Sequence, residues 1–297
     1  NQVCGSGMRA TMDGSSKIYS GESDLLIVGG QESMSRARHT YLSRTGEKKL
    51  GNNVFIDTLV NDGLTDAFSK EHMGITAENV SRRYTVTRQD QDQFAFQSYL
   101  KTYKAIKNNY FKNELMKSPY KDEVRKDTTL VKLGQLKAVF KKSGTVTAGN
   151  ASSLNDGASF IALASENYIN SNKIKPIAKI LSWASSAGNP DYMGVTPITA
   201  IQKLMKKMGV NIGYFDLVEI NEAFAATSVA VQRSLKIDPN KLNIAGGAIA
   251  LGHPIGCSGA RIVTTLAHQL RRTKQKIGVA SMCIGGGQGL AIAIEKI

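Results

Sequence analysis

The sequence predicts an α/β protein carrying an inserted helical segment, and three observations carry that reading. Short apolar runs recur at 24–30, where glycines end the run, and at 157–164, 216–220 and 277–284, as expected of strands buried within a layered core. Helix-period segments accompany them at 8–20, 199–208 and 258–270. A polar side chain stands at a strand-to-helix corner twice, at Cys4 and at Asn221, which suggests two similarly built halves.

The first apolar helix face continues from Met8 and Met12 towards Ser20, and the run at 24–30 reads as a buried strand followed by a turn at 31–35. From 36 to 154 the pattern changes: apolar residues thin out, charges rise, and long helices alternate with loops. Helices are expected at 76–84 and 87–109, the second with Thr87 as N-cap and Asp90 three residues on. The run at 157–164 returns the chain to the framework. After a linker near 171–177, strands are expected at 178–183 and 216–220 with the helix 199–208 between them. The run 242–245 reads as a strand end, and two strands flanking 285–289 close the chain as a hairpin.

Composition narrows the function. With 297 residues, 41% of them hydrophobic, the chain can bury a full core. Its formal charge is +14, from 38 basic and 24 acidic residues, which favours phosphate-rich partners. The basic residues are scattered through 101–142 and 203–207 without interleaved aromatics, which argues against nucleic acid. No apolar run approaches the roughly 20 residues of a membrane helix, so no membrane partner is expected. The sequence opens directly into a motif and not into a secretory leader. Cys4, Cys257 and Cys283 form neither a CxxC pair nor a zinc pattern. We expect no metal, reactive thiols in place of disulfides, and a reducing, cytoplasmic setting.

The chemistry gathers around the stretch 246–260, whose single histidine, His253, stands among Gly246, Gly247, Gly252, Gly256 and Gly259. Such a loop predicts a histidine presented to a site and not buried. Cys4, flanked by Gly5 and Gly7 at a helix start, reads as a nucleophile whose pKa the helix macrodipole lowers. Cys283 lies beside Gly285, Gly286 and Gly287, whose backbone N–H groups could stabilise an oxyanion. With an ordinary thiol pKa of about 8.5, Cys283 suits proton transfer at carbon. Neutral His253 can take the Cys4 proton. Asn221 fits either a site residue or a helix N-cap, and His72-Met73-Gly74 either lines a site or forms a surface loop. The loop 144–153 offers backbone and hydroxyl donors to a polar ligand chain.

Asn-Gln-Val-Cys-Gly-Ser-Gly at 1–7, Asn-Glu-Ala-Phe-Ala at 221–225, Gly-Gly-Ala-Ile-Ala-Leu-Gly-His-Pro-Ile-Gly at 246–256 and Cys-Ile-Gly-Gly-Gly-Gln-Gly at 283–289 occur in this order. Together they resemble the thiolase family over essentially the whole chain. The resemblance implies two stacked mixed sheets in an α-β-α-β-α sandwich with an inserted loop domain. It divides the chain into an N-terminal half (1–35 and 155–175), a loop domain that binds coenzyme A (36–154), and a C-terminal half (176–297). It also implies a further stretch ahead of the nucleophile, holding the first strands of the N-terminal half.

The implied activity is reversible Claisen condensation of two acetyl-CoA to acetoacetyl-CoA plus CoA through an acetyl-cysteine. The alternatives are a degradative 3-ketoacyl-CoA thiolase for longer chains, or a truncated, inactive CoA-binding relative. By motif, Cys4 carries the acyl group, His253 activates it, Cys283 exchanges the α-proton, and Asn221 holds a water that joins His253 in stabilising the enolate. The N–H groups of Cys4 and Gly285 form the second oxyanion hole. Ser152 contacts the pantetheine of CoA among Ala148, Leu154, Phe140, Met193 and Phe224; Arg125 meets the nucleotide; His72 and Met73 mark the short-chain type. CoA thioesters are implied as substrates with no permanent cofactor, and a homodimer or homotetramer as the assembly, its tetramer-forming loop in the region 36–60. Two departures stand out: the 111–125 region is short, and Cys257 occupies a position that is usually a smaller residue, which reads as packing.

Overall fold

The computed structural model describes residues 1–41, 50–116 and 122–297, so parts of the 36–60 loop and of the short 111–125 region lie outside the described residues. A 3-10 turn at Val3–Gly5 leads into α1 (Ser6–Tyr19), which buries Met8 and Met12. Strand β1 (Leu25–Ser33) runs three residues past the expected end and then makes a 3-10 turn at Met34–Arg36. A small ribbon of β2 (His39–Thr40) and β3 (Ile56–Asp57) precedes α2 (Met73–Arg83). Helix α3 (Arg88–Lys107) opens on the expected Thr87–Asp90 capping box. Then come α4 (Leu130–Gln135), β4 (Asp156–Ala164), α5 (Glu166–Ser171) and β5 (Ala178–Ala187). The last third holds α6 (Thr196–Met208), β6 (Leu217–Ile220), α7 (Ala225–Leu235), the short α8 (Ala248–Leu251), α9 (Ile255–Thr273), β7 (Ile277–Ile284) and β8 (Gln288–Lys296).

The main sheet has the order β5-β8-β7-β6, with β6 and β7 parallel and the other pairs antiparallel. Its strands are apolar on both faces because both faces are covered. On one side Ile201 and Leu204 of α6 and Val231 and Leu235 of α7 pack on Val218, Ile220 and Val279. On the other, Met8 and Met12 of α1 and Ile262, Leu266 and Leu270 of α9 pack on Met282, Leu290 and Ile292. Helices α1 and α9 cross closely enough that a Cβ on Gly259 would lie 2.4 Å from the Met8 nitrogen, and one on Gly7 2.7 Å from the Ala260 nitrogen. Only glycine at both places allows that approach, and it brings the starts of the two helices together.

Beyond α1 and α9 lies the antiparallel pair β1–β4. Four consecutive layers (helix, sheet, helix, sheet) are thus present. The run at 24–30 predicts a fully buried strand, whereas β1 alternates: Leu26 and Val28 face α1, while Ile27 is 76% exposed and its neighbour Phe160 on β4 is 58% exposed. One face of this pair is covered and the other is open among the described residues.

The expected strand at 242–245 is absent as a ladder. Leu242 bridges Val218, but Asn243 turns to a φ of 44° and substitutes its side chain for a strand partner. Its amide Nδ2 donates to the Ile220 carbonyl at 2.9 Å and its Oδ1 accepts from the Ile220 N–H at 2.8 Å. The edge of β6 is therefore closed by a side-chain amide.

Candidate active site

Cys4 sits in the 3-10 turn ahead of α1, where the Val3 backbone is held at a φ of 48°. A β-branched residue there is strained, on the order of 1–3 kcal/mol, and the neighbouring bonds hold it. Val3 N–H donates to Asn1 Oδ1 at 2.8 Å, Gln2 N–H to Ser6 Oγ at 2.9 Å, and Arg9 Nε to Gln2 Oε1 at 2.8 Å. The Cys4 thiol is pushed up to about 11, by desolvation first; hydrogen bonds from the N–H groups of Gly285 and of Cys4 itself pull it back. The macrodipole argument predicts the opposite direction. Loss of water outweighs it here, although the residue itself is only half-buried.

The pair expected to form an oxyanion hole, the N–H groups of Cys4 and Gly285, thus lies near the sulfur, where both favour the thiolate. Cys283, at the end of β7, is buried and pushed up to about 12 by desolvation and then by the charge of Cys4, which places the two sulfurs in one site. Its pKa is thus far from the ordinary thiol value expected from sequence.

His253 lies on the same side, in the loop between α8 and α9, but it is buried at 8% exposure and not presented openly. Burial, and then the positive charge of Arg261, lower its pKa to about 4. Its Nδ1 is 2.6 Å from Ser258 Oγ, and that hydroxyl lies 2.9 Å from the Pro254 carbonyl. A carbonyl can only accept, so the hydroxyl proton goes to Pro254 and Oγ receives Nδ1–H. Nε2 is then the basic nitrogen, and Asn221 Nδ2 donates to it at 3.3 Å. Asn221 is no N-cap: α7 starts four residues later, and the N–H of Ala225 is taken by the Asn150 carbonyl at 2.8 Å. Asn221 Oδ1 is buried without a hydrogen-bond partner among the described residues, open to a small polar group beside Nε2.

The turn that carries Cys4 packs against β7, which carries Cys283, and against α9, which follows His253, so these groups gather towards the carboxyl ends of β6 and β7. The model of the thiolase N-terminal domain matches residues 1–167 and that of the thiolase C-terminal domain residues 174–296. The chain belongs to the thiolase family. It is 45% identical to acetyl-CoA acetyltransferases of Rhizobium meliloti (strain 1021) and Shinella zoogloeoides, covering 100% of this chain and 78% of each relative. Human mitochondrial 3-ketoacyl-CoA thiolase superposes with a TM-score of 0.95 at 40% identity, over 100% of this chain and 78% of that one. The acetyl-CoA acetyltransferase of Bacillus anthracis gives a TM-score of 0.95 at 38% identity, with the same coverage. A complex of the human enzyme with CoA superposes equally well, at 41% identity over 100% of this chain and 77% of that one.

The other predicted residues of this thiolase fall into two groups. Met73, Met193 and Phe224 pack with Cys283 in one buried cluster, and Phe140 leans on it. Phe140 stacks on His72 at 4.7 Å, edge-on to Phe224 at 6.1 Å. His72 caps α2 by accepting the Gly74 N–H on Nδ1 at 3.0 Å. Ser152 is half-buried and its N–H donates to the Ala223 carbonyl at 3.0 Å, tying the 144–152 loop to the Asn221 corner. Ala148, Leu154 and Arg125 are exposed and stand outside this cluster. Three residues escaped the sequence reading: Ser258, Asn243 and Glu222. Buried Glu222 accepts from Ser98 at 2.6 Å, Asn243 at 2.7 Å and the Ile249 N–H at 3.2 Å, fixing the turn that carries His253. The adjacency of Glu222 to Asn221 was the available signal.

Proposed function

We propose that the chain catalyses reversible Claisen condensation of two acetyl-CoA to acetoacetyl-CoA and CoA. The reading is supported by Cys4 and Cys283 lying close enough for the charge of one to act on the other, and by Asn221, at the end of β6 beside β7, holding His253 Nε2. Two thiols serve two chemical tasks, acyl carriage and proton transfer at carbon. In the first half-reaction His253 Nε2 takes the Cys4 proton as sulfur attacks the thioester carbonyl. The N–H groups of Cys4 and Gly285 receive the oxyanion, and CoA leaves with the proton from His253.

In the second half-reaction Cys283 passes its own proton to His253 and, as the thiolate, takes an α-proton from a second acetyl-CoA. Asn221 and His253 face the enolate oxygen, and the carbanion displaces Cys4 from its acetyl group, the Cys4 thiolate regaining the proton held by His253. Acetylation turns Cys4 into an uncharged thioester. The part of the penalty on Cys283 that comes from a Cys4 charge then vanishes. The order of steps follows: the base becomes competent once the acyl group is in place.

Acetyl groups are favoured over long chains because Met73 closes over the site, its methyl 3.3 Å from where a Cβ on Gly285 would stand. In this reading residues 36–154 form the CoA-binding part. Ser152 and Ala148 lie along the pantetheine, with Leu154 and Phe140 beside it, and Arg125 lies towards the nucleotide. CoA thioesters are the substrates, and the assembly is a homodimer or homotetramer. The three free cysteines suit a reducing compartment such as the cytoplasm. Among the described residues no helix is long and apolar enough to cross a membrane.

The test is intact mass and peptide mapping after brief exposure to acetyl-CoA. An acetyl group on Cys4, absent in Cys4→Ala, is expected; an acetyl group elsewhere, or none, would refute the reading.

A further inference from the structure

Helix α9 carries a buried polar stripe through an otherwise apolar interior. Ser258, Thr265 and Gln269 are each at most 1% exposed, and Arg261 lies between them on the same face at helical spacing. Ser258 holds the His253 ring. Arg261 is one turn further on, about 4.5 Å along the axis. Its Nη1 and Nη2 are buried and have no hydrogen-bond partner among the described residues. Two carboxylates face the stripe. Glu114 accepts from Thr265 Oγ1 at 2.8 Å and keeps a buried, unpartnered Oε1. Glu219, on the α9 side of β6 and 2% exposed, keeps a buried, unpartnered Oε2.

We propose that Arg261 is a positioning residue: its buried guanidinium, facing the carboxylates of Glu114 and Glu219, keeps the His253 ring uncharged so that Nε2 remains a base.

The charged and titratable groups facing this cluster are few, and most are engaged elsewhere. Lys101 on α3 donates to the carbonyls of Leu242 at 2.8 Å and Pro239 at 3.3 Å. Glu222 is occupied by Ser98, Asn243 and Ile249. Glu32 on β1 accepts the Gly256 N–H at 3.0 Å, at the start of α9. Asp122 and Cys257 also feel Arg261. That leaves one cation facing the carboxylates of Glu114, Glu219 and Asp122. Burial pushes Glu114 up to about 7 and Glu219 up to about 8, with Arg261 pulling both back. The positive charge one turn from Ser258 then opposes a second positive charge on the imidazole.

The test is a nuclear magnetic resonance titration of the full chain with labelled histidine rings, the 4 histidines being assigned by single replacement. Arg261→Gln should raise the pH at which His253 takes its proton by about one unit or more, and Arg261→Lys should restore the wild-type midpoint. If Arg261→Gln does not fold, Arg261→Met combined with Glu219→Gln, which is neutral like the protonated acid, removes the cation without leaving an ionisable carboxyl opposite it on β6, and the same rise is expected. An unmoved His253 midpoint in either folded variant overturns the proposal, as does Arg261→Lys shifting it as far as Arg261→Gln. The proposal takes its meaning for catalysis from the condensation reading, but the titration needs no turnover. If the Arg261 variants show the shift while the wild type forms no acetyl-Cys4, the reaction is refuted and the positioning stands.

Discussion

At the scale of single residues, His253 works through the atom that holds its other nitrogen. Ser258 fixes the tautomer because its own proton is committed to Pro254. Ser258→Ala should leave Cys4 in place and slow its acetylation on the order of ten- to a hundredfold, since a misassigned tautomer forfeits much of general-base catalysis. Stopped-flow acylation at fixed pH measures this, and an unchanged rate would remove Ser258 from the mechanism. Cys283→Ala separates the two thiols: the variant should still take an acetyl group on Cys4 yet fail to exchange the α-protons of acetyl-CoA in deuterated water. Exchange at the wild-type rate would take the base role from Cys283. The residues doing chemistry were legible because glycine flanks them and ordinary packing does not demand that. Their ionisation was not. Local sequence gives the helix terminus at Cys4 but not the protein that excludes water from it, so the expected low pKa gave way to a high one.

At the scale of elements, the loop that would meet CoA is nailed to α2 by one buried carboxylate. Glu78 accepts the N–H of Thr145 and Val146, each at 2.8 Å, and the Thr145 hydroxyl at 2.9 Å. Asn150 adds bonds to Asp92 at 2.9 Å and, through its carbonyl, to the first N–H of α7. Glu78→Ala strips the partner from several donors at once and should cost on the order of 3 kcal/mol. It should also raise KM for acetyl-CoA more than it lowers kcat, because the catalytic groups sit on other elements. Steady-state kinetics beside a denaturant curve would show both, and an unaltered KM would detach the loop from substrate. Elements with strong periodicity or a capping box, such as α3 and β7, could be read from sequence almost to their ends. The apolar 242–245 run could not, because the decisive event is a side chain, Asn243, pairing with the backbone of a strand more than twenty residues earlier. The open face of β1 escaped for a related reason: an apolar run reports what could be covered, not what covers it.

At the scale of the whole molecule, the buried titratable groups set how stability follows pH. His253 is held neutral, with its pKa lowered from 6.5 to about 4. Its contribution is present above the unfolded value and lost as pH falls from 6.5 towards 4. Glu219 is the reverse case, raised from 4.5 to about 8, so its protonated form suits the fold. That contribution is complete below 4.5 and lost as pH rises through 8, and Glu114, raised to about 7, follows the same sign. Between 4.5 and 6.5 the histidine and the carboxylates oppose one another. Above 6.5 only the carboxylates act, so thermal stability should decline from pH 6.5 to 8.5. Glu219→Gln keeps the shape of the protonated acid and cannot ionise. Its melting temperature should fall less over that interval than the wild type's, by on the order of a few degrees. Calorimetry at matched ionic strength decides it. Parallel curves for the two proteins would mean that Glu219 is already ionised at pH 6.5 and that burial does not hold its proton.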